Sequence, residues 1–239
     1  MHKINLTFMS LMMLGIMILG SNIASAASNP SPVVVELFTS QGCSSCPSAD
    51  NLLRELAAND PNIIPLSFHV DYWDYLGWKD PFSSSVNTQR QRRYAQTIND
   101  RGVYTPQAVV NGSRGVVGSD NSRLRSLIDT AHQASKSSLI TLKENGQQLA
   151  IHVAASTLKE PAIIYAIRFQ RNSSTDVKSG ENSGRRLSSI NSVTDIEKLG
   201  TTNGTEQTYA LPLSDKTQQG IAIILQEKDQ GVILSAAMY

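Results

Sequence analysis

The hydrophobic residues of this chain follow two periods in turn, first a mixture of strand-like runs and helical spacing, then simple alternation. Val33-Val34-Val35-Glu36-Leu37-Phe38-Thr39 is a mostly β-branched and aromatic run between Pro32 and a Ser40-Gln41-Gly42 turn, which predicts a buried strand. Ala49, Leu52, Leu53 and Leu56 then recur at helical spacing. Pro47 suits the first turn, where a missing N–H costs little, and Asn59-Asp60-Pro61 stops the helix. Ile63 to Val70 predicts a second buried strand, so the unit is βαβ with parallel strands. An aromatic insert, Asp71 to Phe82, carries both tryptophans, Trp73 and Trp78. Ser83 to about Asn99 is expected to be helical, with Val86, Tyr94 and Ile98 packed and Arg90, Arg92 and Arg93 exposed. Pro106 opens a short strand, Asn111-Gly112 predicts a hairpin turn, and Arg114 to Val117 returns. Asp120 or Asn121 can cap a helix carrying Leu124, Leu127, Ile128 and Ala131.

After about Ser135 the character changes. Leu139 to Leu142, an Asn145-Gly146 turn and then Leu149, Ile151 and Val153 in alternation predict a β-hairpin. Further strands are expected over Ala162–Phe169, Gln207–Leu213, Ile221–Gln226 and Val232–Ala237, whereas Asn172 to Arg186 reads as a polar loop. The N-terminus has its own pattern: Lys3, an apolar stretch from Leu6 to Gly20, and Ala24-Ser25-Ala26 as a small-residue cleavage site. The expected organisation is a signal peptide over 1–26, an α/β domain over 27–135, and a β-rich domain or extension over 136–239. The apolar stretch is too short to favour a membrane span, so the mature chain is expected in the periplasm or secreted, with no span of its own.

Charge removes some functions. Lysine and arginine number 21 against 20 acidic residues, which gives no support to nucleic-acid binding. The two cysteines of the chain, Cys43 and Cys46, form a C-x-x-C where the first strand passes into the first helix. A helix N-terminus favours a thiolate, and this strand-to-helix placement points to thiol–disulfide chemistry rather than to a structural staple. Pro47 rules out the C-x-x-C-H of covalent haem attachment, and scattered histidines argue against a four-ligand zinc site; no metal or other cofactor is expected. His69 and Asp71 end the second strand, where they could serve as an acid–base pair, join the thiols around a soft metal, or leave the histidine satisfied by a backbone carbonyl. Tyr72, Trp73, Tyr75 and Trp78 read as packing or as a groove wall, and Glu181, Arg185 and Arg186 as a solvated loop, against the alternatives of ordering that loop by ion pairs or contacting a partner.

The order β, α, β, α, β, β, α over Val33 to Ala134, with Cys43 and Cys46 opening the first helix and Thr105-Pro106 before a later strand, resembles the thioredoxin-like superfamily. The stretches Glu36-Leu37-Phe38-Thr39-Ser40-Gln41-Gly42-Cys43, His69 to Asp74 and Gly180 to Arg185 resemble more closely an exported bacterial family called domain of unknown function 1223. The first resemblance implies a thioredoxin-like α/β fold with an inserted aromatic loop and helix, followed by a C-terminal antiparallel β region. It implies a cis Thr105-Pro106 bond facing the thiols, with Thr105, Pro106 and Trp73 binding substrate. It also offers Glu36 as an acid beneath the cysteines that moves the proton of the resolving thiol, against the alternative of a strand-edge carboxylate in a salt bridge. In that reading an exposed Cys43 attacks, Cys46 resolves, and the partners are protein or peptide thiols and disulfides, with a possible redox partner protein. The Ser44-Ser45 dipeptide carries no charge that would set the direction of exchange. The rival readings are a copper or other soft-metal carrier, or an interaction module with an inert disulfide.

Overall fold

The computed structural model describes residues 29–100, 102–213 and 215–239, so the expected signal peptide and its cleavage site lie outside the described residues. Among the described residues the fold is mixed α/β, with more strand than helix and three α-helices. Its first half runs β1 (Val33–Thr39), α1 (Cys46–Asn59), β2 (Ile63–His69), α2 (Ser85–Thr97), β3 (Gln107–Val110), β4 (Arg114–Val117) and α3 (Asn121–Ala134). β1 and β2 are parallel, with Val33 beside Ile63 and Thr39 beside His69. β3 runs antiparallel to β1, and β4 antiparallel to β3. The hairpin between β3 and β4 uses Asn111 (φ 45°) and Gly112 (φ 64°), the pair of left-handed residues that such a turn demands. Asp120 caps α3 by accepting from the Arg123 N–H at 3.1 Å.

The second half contributes β5 (Ile140–Asn145), β6 (Gln148–Val153), β7 (Ala162–Asp176), β8 (Arg186–Thr202), β9 (Gln207–Pro212), β10 (Gln219–Glu227) and β11 (Ile233–Met238). Four of these lengthen the first sheet, giving the order β11-β10-β7-β8-β2-β1-β3-β4, while β5, β6 and β9 form a second sheet in the order β5-β6-β9. The halves meet where β8 lies parallel to β2 at Ser67 and Ser192, braced by Ser67 Oγ donating to the Ile190 carbonyl and Asn191 Nδ2 donating to that of Pro65. Among the described residues no helix is long and apolar enough to cross a membrane.

Alternation along β1 divides the core. Val33, Val35 and Leu37 pack with Leu53 and Leu56 of α1 and with Leu124 and Ile128 of α3. Val34 and Phe38 face the other way, into a cluster with Phe68, Tyr94 of α2, Phe169 and Ile224. The small sheet packs Leu149, Ile151 and Leu211 against Ile164, Ile223 and Leu225.

Two expectations need correction. Residues 172–186 are not one loop: β7 runs on to Asp176 and β8 starts at Arg186, leaving a short connection over 177–185. β8 escapes a period-two reading because its apolar residues Ile190, Val193, Ile196 and Leu199 recur every third position. Its register against β7 shifts twice, between Ile164 and Tyr165 and between Arg168 and Phe169, and each extra residue turns the following side chains to the other face. On α2, Arg90 is 2% exposed and Val86 48% exposed, the reverse of what was expected of these two, whereas Tyr94 is buried and Arg92 and Arg93 are exposed as expected. Arg90 Nε donates to Glu36 at 2.7 Å and Nη2 to Tyr94 and Gln226, so the helix turns toward a buried acid rather than toward apolar partners.

Candidate active site

β1 ends at Thr39, and Ser40-Gln41-Gly42 reverses the chain so that Cys43 stands in the turn and Cys46 begins α1. The turn is closed by the Cys43 N–H donating to the Ser40 carbonyl and the Cys46 N–H donating to that of Cys43, both at 3.2 Å. Gly42 is needed for close approach, because a Cβ there would lie 3.2 Å from Trp73 Cβ and 3.3 Å from its carbonyl. Both cysteines are free thiols. The expected exposed Cys43 is instead 1% exposed, and Cys46 is fully buried. Cys43 Sγ contacts the Thr105 carbonyl at 3.8 Å, and Trp73 Nε1 donates to Thr105 Oγ1 at 2.7 Å, so the aromatic insert and the Thr105 segment close over the turn. The Thr105-Pro106 bond is cis.

The two thiols hold their protons very differently. A hydrogen bond from the Cys46 thiol lowers the pKa of Cys43 to about 6 against the opposing effect of burial, with Ser45 and Thr105 helping. Burial pushes Cys46 far upward, and the adjacent Cys43 and Asp50 push the same way. One proton is thus shared within the pair and resides on Cys46.

Beneath the pair lies a cluster of polar groups of which the sequence pattern singled out His69 but not Asp50 or Asp80. Asp50 follows Cys46 by four residues, so both project from one side of α1. Thr39 Oγ1 donates to Asp50 Oδ2 at 3.3 Å. Burial raises the Asp50 carboxyl to about 7, with His69 acting in the opposite direction. His69 stands beside Thr39 in the parallel register, on the sheet face that α1 covers. Its Nδ1 meets Asp80 Oδ2 at 2.7 Å, and Asp80 outweighs burial to keep the imidazole pKa raised. The expected backbone partner for His69 is therefore replaced by a carboxylate, and that carboxylate is Asp80, not Asp71. Asp71 accepts from Thr88 Oγ1 at 2.5 Å and belongs to the start of α2. Asp80 also accepts from the Gln41 N–H at 2.8 Å and so ties the insert to the cysteine turn. Among the described residues two buried side-chain atoms, Asp50 Oδ1 and His69 Nε2, have no hydrogen-bond partner.

The connection over 177–185 is an ordered clamp rather than a solvated loop. Asn182 is fully buried and its Nδ2 donates to the carbonyls of Gln41 and Cys43, each at 2.9 Å. Glu181 Oε2 accepts from the Ser44 N–H at 2.9 Å, and Arg185 Nη1 holds Asn182 Oδ1 at 2.7 Å. The long β7–β8 hairpin is what carries this clamp from the C-terminal half to the cysteines.

Of the expected site residues, Cys43, Cys46, Thr105, Pro106 and Trp73 come together and Glu36 does not. Glu36 alternates with Val35 and Leu37, so it points away from α1. Its carboxylate is held by Arg90 and by the Tyr94 hydroxyl, and its strand lies inside the sheet rather than at an edge. The acid whose charge acts on Cys46 is Asp50. Its signal was legible as a charge between Ala49 and Leu52 on the packed side of α1. The aromatic insert serves both expected ends: Trp78 Nε1 donates to Gln41 Oε1 at 3.1 Å and Trp73 walls the turn, while Tyr75 is 80% exposed. A cavity of about 530 Å³ beside α3 and Val232–Leu234 takes no residue from this site.

The family described as "Protein of unknown function (DUF1223)" matches residues 34–226, and the chain belongs to it. An Agrobacterium tumefaciens protein solved by X-ray crystallography is similar over 89% of this chain and 95% of its own, at 34% identity and a TM-score of 0.76. HBP35 of Porphyromonas gingivalis is similar in fold at a TM-score of 0.62 and 15% identity, over 89% of this chain and 76% of its own. A search among curated proteins finds no match.

Proposed function

We propose that this member of the DUF1223 family is an exported thiol–disulfide oxidoreductase with a thioredoxin-like core, acting on protein or peptide disulfides. The observation that carries the reading is the unequal proton affinity of two adjacent thiols at a strand-to-helix turn: Cys43 low at about 6, Cys46 raised. The cis Thr105-Pro106 segment against Cys43 supports it, since the backbone there can pair with an extended substrate. An inert structural bridge would need neither the asymmetry nor a buried acid beside it.

The chemistry follows from the proton positions. The Cys43 thiolate attacks one sulfur of a substrate disulfide, forming a mixed disulfide and expelling a substrate thiolate that takes a proton from water. Cys46 then gives its proton to ionised Asp50, attacks Cys43 Sγ and expels the second substrate thiolate. The substrate gains two electrons, the protein keeps a Cys43–Cys46 disulfide, and a dithiol partner resets it; the same steps in reverse make the protein an oxidant. Asp50 suits the role because a group with a pKa near 7 can both accept and return a proton at neutral pH. Because Cys43 is covered, a substrate has to part Thr105 and Trp73 from the thiol, which makes Trp73 a gate as well as a wall.

Alkylation of the reduced protein followed across pH tests the reading. Cys43 should react with a midpoint near pH 6 and Cys46 should stay silent throughout the neutral range. Cys46→Ala should accumulate mixed disulfides through Cys43, and Cys43→Ala should not. Equal, slow labelling of both thiols, with a midpoint near the ordinary cysteine value, would remove the redox role.

A further inference from the structure

A second cleft adjoins the dithiol and is built for negative charge. It has a volume of about 170 Å³ and lies between the first turns of α1 and the start of β8, lined among others by Pro47, Asp50, Arg54, Arg185, Arg186 and Ser188. Pro47 directly follows the resolving cysteine, so the cleft begins where a bound substrate would leave the thiols. Three arginines converge there, and neutral groups hold two of them. Arg54 donates to Asn51 Oδ1 at 3.0 Å and to the Ser188 carbonyl at 2.7 Å, and Arg185 donates to Asn182 Oδ1 at 2.7 Å. Such bonds orient a guanidinium without cancelling its charge, and each fork keeps further N–H donors. Arg186 reaches Asp176 only at 3.4 Å, with both side chains largely exposed, so that pair cancels little. Asp50 is the remaining carboxyl of the cleft, and burial keeps it protonated for much of the neutral range.

We propose that this cleft is a carboxylate subsite, and that the disulfide substrate is a peptide segment carrying a Glu or Asp side chain near its cysteine. The size supports a single side chain: about 170 Å³ is below the range of pockets that enclose a drug-sized ligand or cofactor. Arginine forks recognise carboxylates through paired charge-assisted hydrogen bonds, and two pre-oriented guanidiniums lose little freedom on binding. Asn182 joins the subsite to the chemistry, because the side chain that positions Arg185 also holds the carbonyl of Cys43. The substrate class rests on the oxidoreductase reading, whereas the affinity for a carboxylate does not.

The test uses two peptides of equal length, each with one cysteine in a mixed disulfide and flanked either by glutamates or by glutamines. With the reduced full chain at low salt, the Glu peptide should exchange about tenfold faster than the Gln peptide. Salt near 0.5 M should shrink that ratio, since screening weakens exposed charge pairs. Arg54→Gln with Arg185→Gln should bring the ratio to about one, and the Arg54→Lys and Arg185→Lys counterparts should restore part of it. Arg186→Gln, at an exposed position, gives a second reading should the double variant fold poorly. Equal rates for the two peptides, or a preference that survives loss of the arginines, would overturn the subsite. If neither peptide exchanges, the redox reading fails, and titration of Cys→Ser peptides followed by NMR of the arginine Nε–H groups decides the subsite separately. Shifts with the Glu peptide alone, lost in the arginine variants, would uphold it; no shifts would overturn it.

Discussion

Replacing Asp50 by asparagine is expected to make the protein more stable above neutral pH and slower in releasing substrate. The sign follows from the direction of the shift. The Asp50 carboxyl ionises near 3.8 when the chain is unfolded and at about 7 when it is buried on the packed side of α1. Between those values the folded protein keeps a proton that the unfolded chain has lost, so stability falls as pH rises, by at most about 1.4 kcal/mol per pH unit, and levels off above pH 7. Asparagine keeps the shape and can still accept from Thr39, but it cannot ionise. A shift of this size would correspond to about 4 kcal/mol, and since 9% of the residue is exposed, a gain of about 2–3 kcal/mol at pH 8 is the expected result. Denaturant unfolding from pH 4.5 to 8.5 measures it: the wild-type curve should slope downward, and the Asp50→Asn curve should be flatter. In the same variant the mixed disulfide on Cys43 should be resolved about 100-fold more slowly at pH 7, the usual scale for losing a proton acceptor. Parallel stability curves together with unchanged resolution would show that Asp50 has neither role.

Arg90→Met should destabilise the protein by about 3–5 kcal/mol, the cost of leaving Glu36 buried without its counter-charge. Burial alone would lower the Arg90 pKa, but Glu36 and the hydrogen bond to it outweigh that and raise it, so the cation is fully present at any working pH. Glu36→Gln added to Arg90→Met should recover much of the loss, because the pair is then replaced by a neutral amide and an apolar chain of similar reach. Urea unfolding of the wild type, both single variants and the double variant gives the coupling directly. Near-additive losses would mean the pair contributes no specific interaction. The same variants separate the two buried acids: Glu36→Gln should leave the pH profile of thiol alkylation in place, while Asp50→Asn should move it.

These two acids show how legibility varied along the chain. The βαβ unit, the Asn111-Gly112 hairpin and α3 were readable because each is specified locally: by period, by a residue tolerant of positive φ, or by a cap. The cysteines and Thr105-Pro106 were readable as motifs. Glu36 was noticed as a charge in an apolar run and read either as an acid beneath the cysteines or as a salt-bridged carboxylate; it is salt-bridged, to Arg90, inside the sheet rather than at its edge. Strand alternation turns it away from α1, because Val35 and Leu37 on either side of it take the face that α1 covers. Arg90 was assigned to solvent because a lone arginine on a helix usually lies there, and only Glu36 across the packing interface reverses the preference.

Elements whose partners lie nearby in sequence were thus settled before folding: the strands other than β8, the helices α1 to α3, the turn that presents Cys43 and Cys46, and the identity of both thiols. Contacts between residues far apart in sequence decided the rest. Asn182 and Glu181 reach the cysteine turn only because β7 and β8 extend a hairpin back across β2, and two bulges in β8 erased the period that would have announced it. The cover over Cys43, the Asp80–His69 pair and the arginine-lined cleft also arise from segments tens of residues apart. Hydrophobic period encodes which face of an element is buried, whereas proton affinities and access depend on which distant polar groups the packed faces bring together.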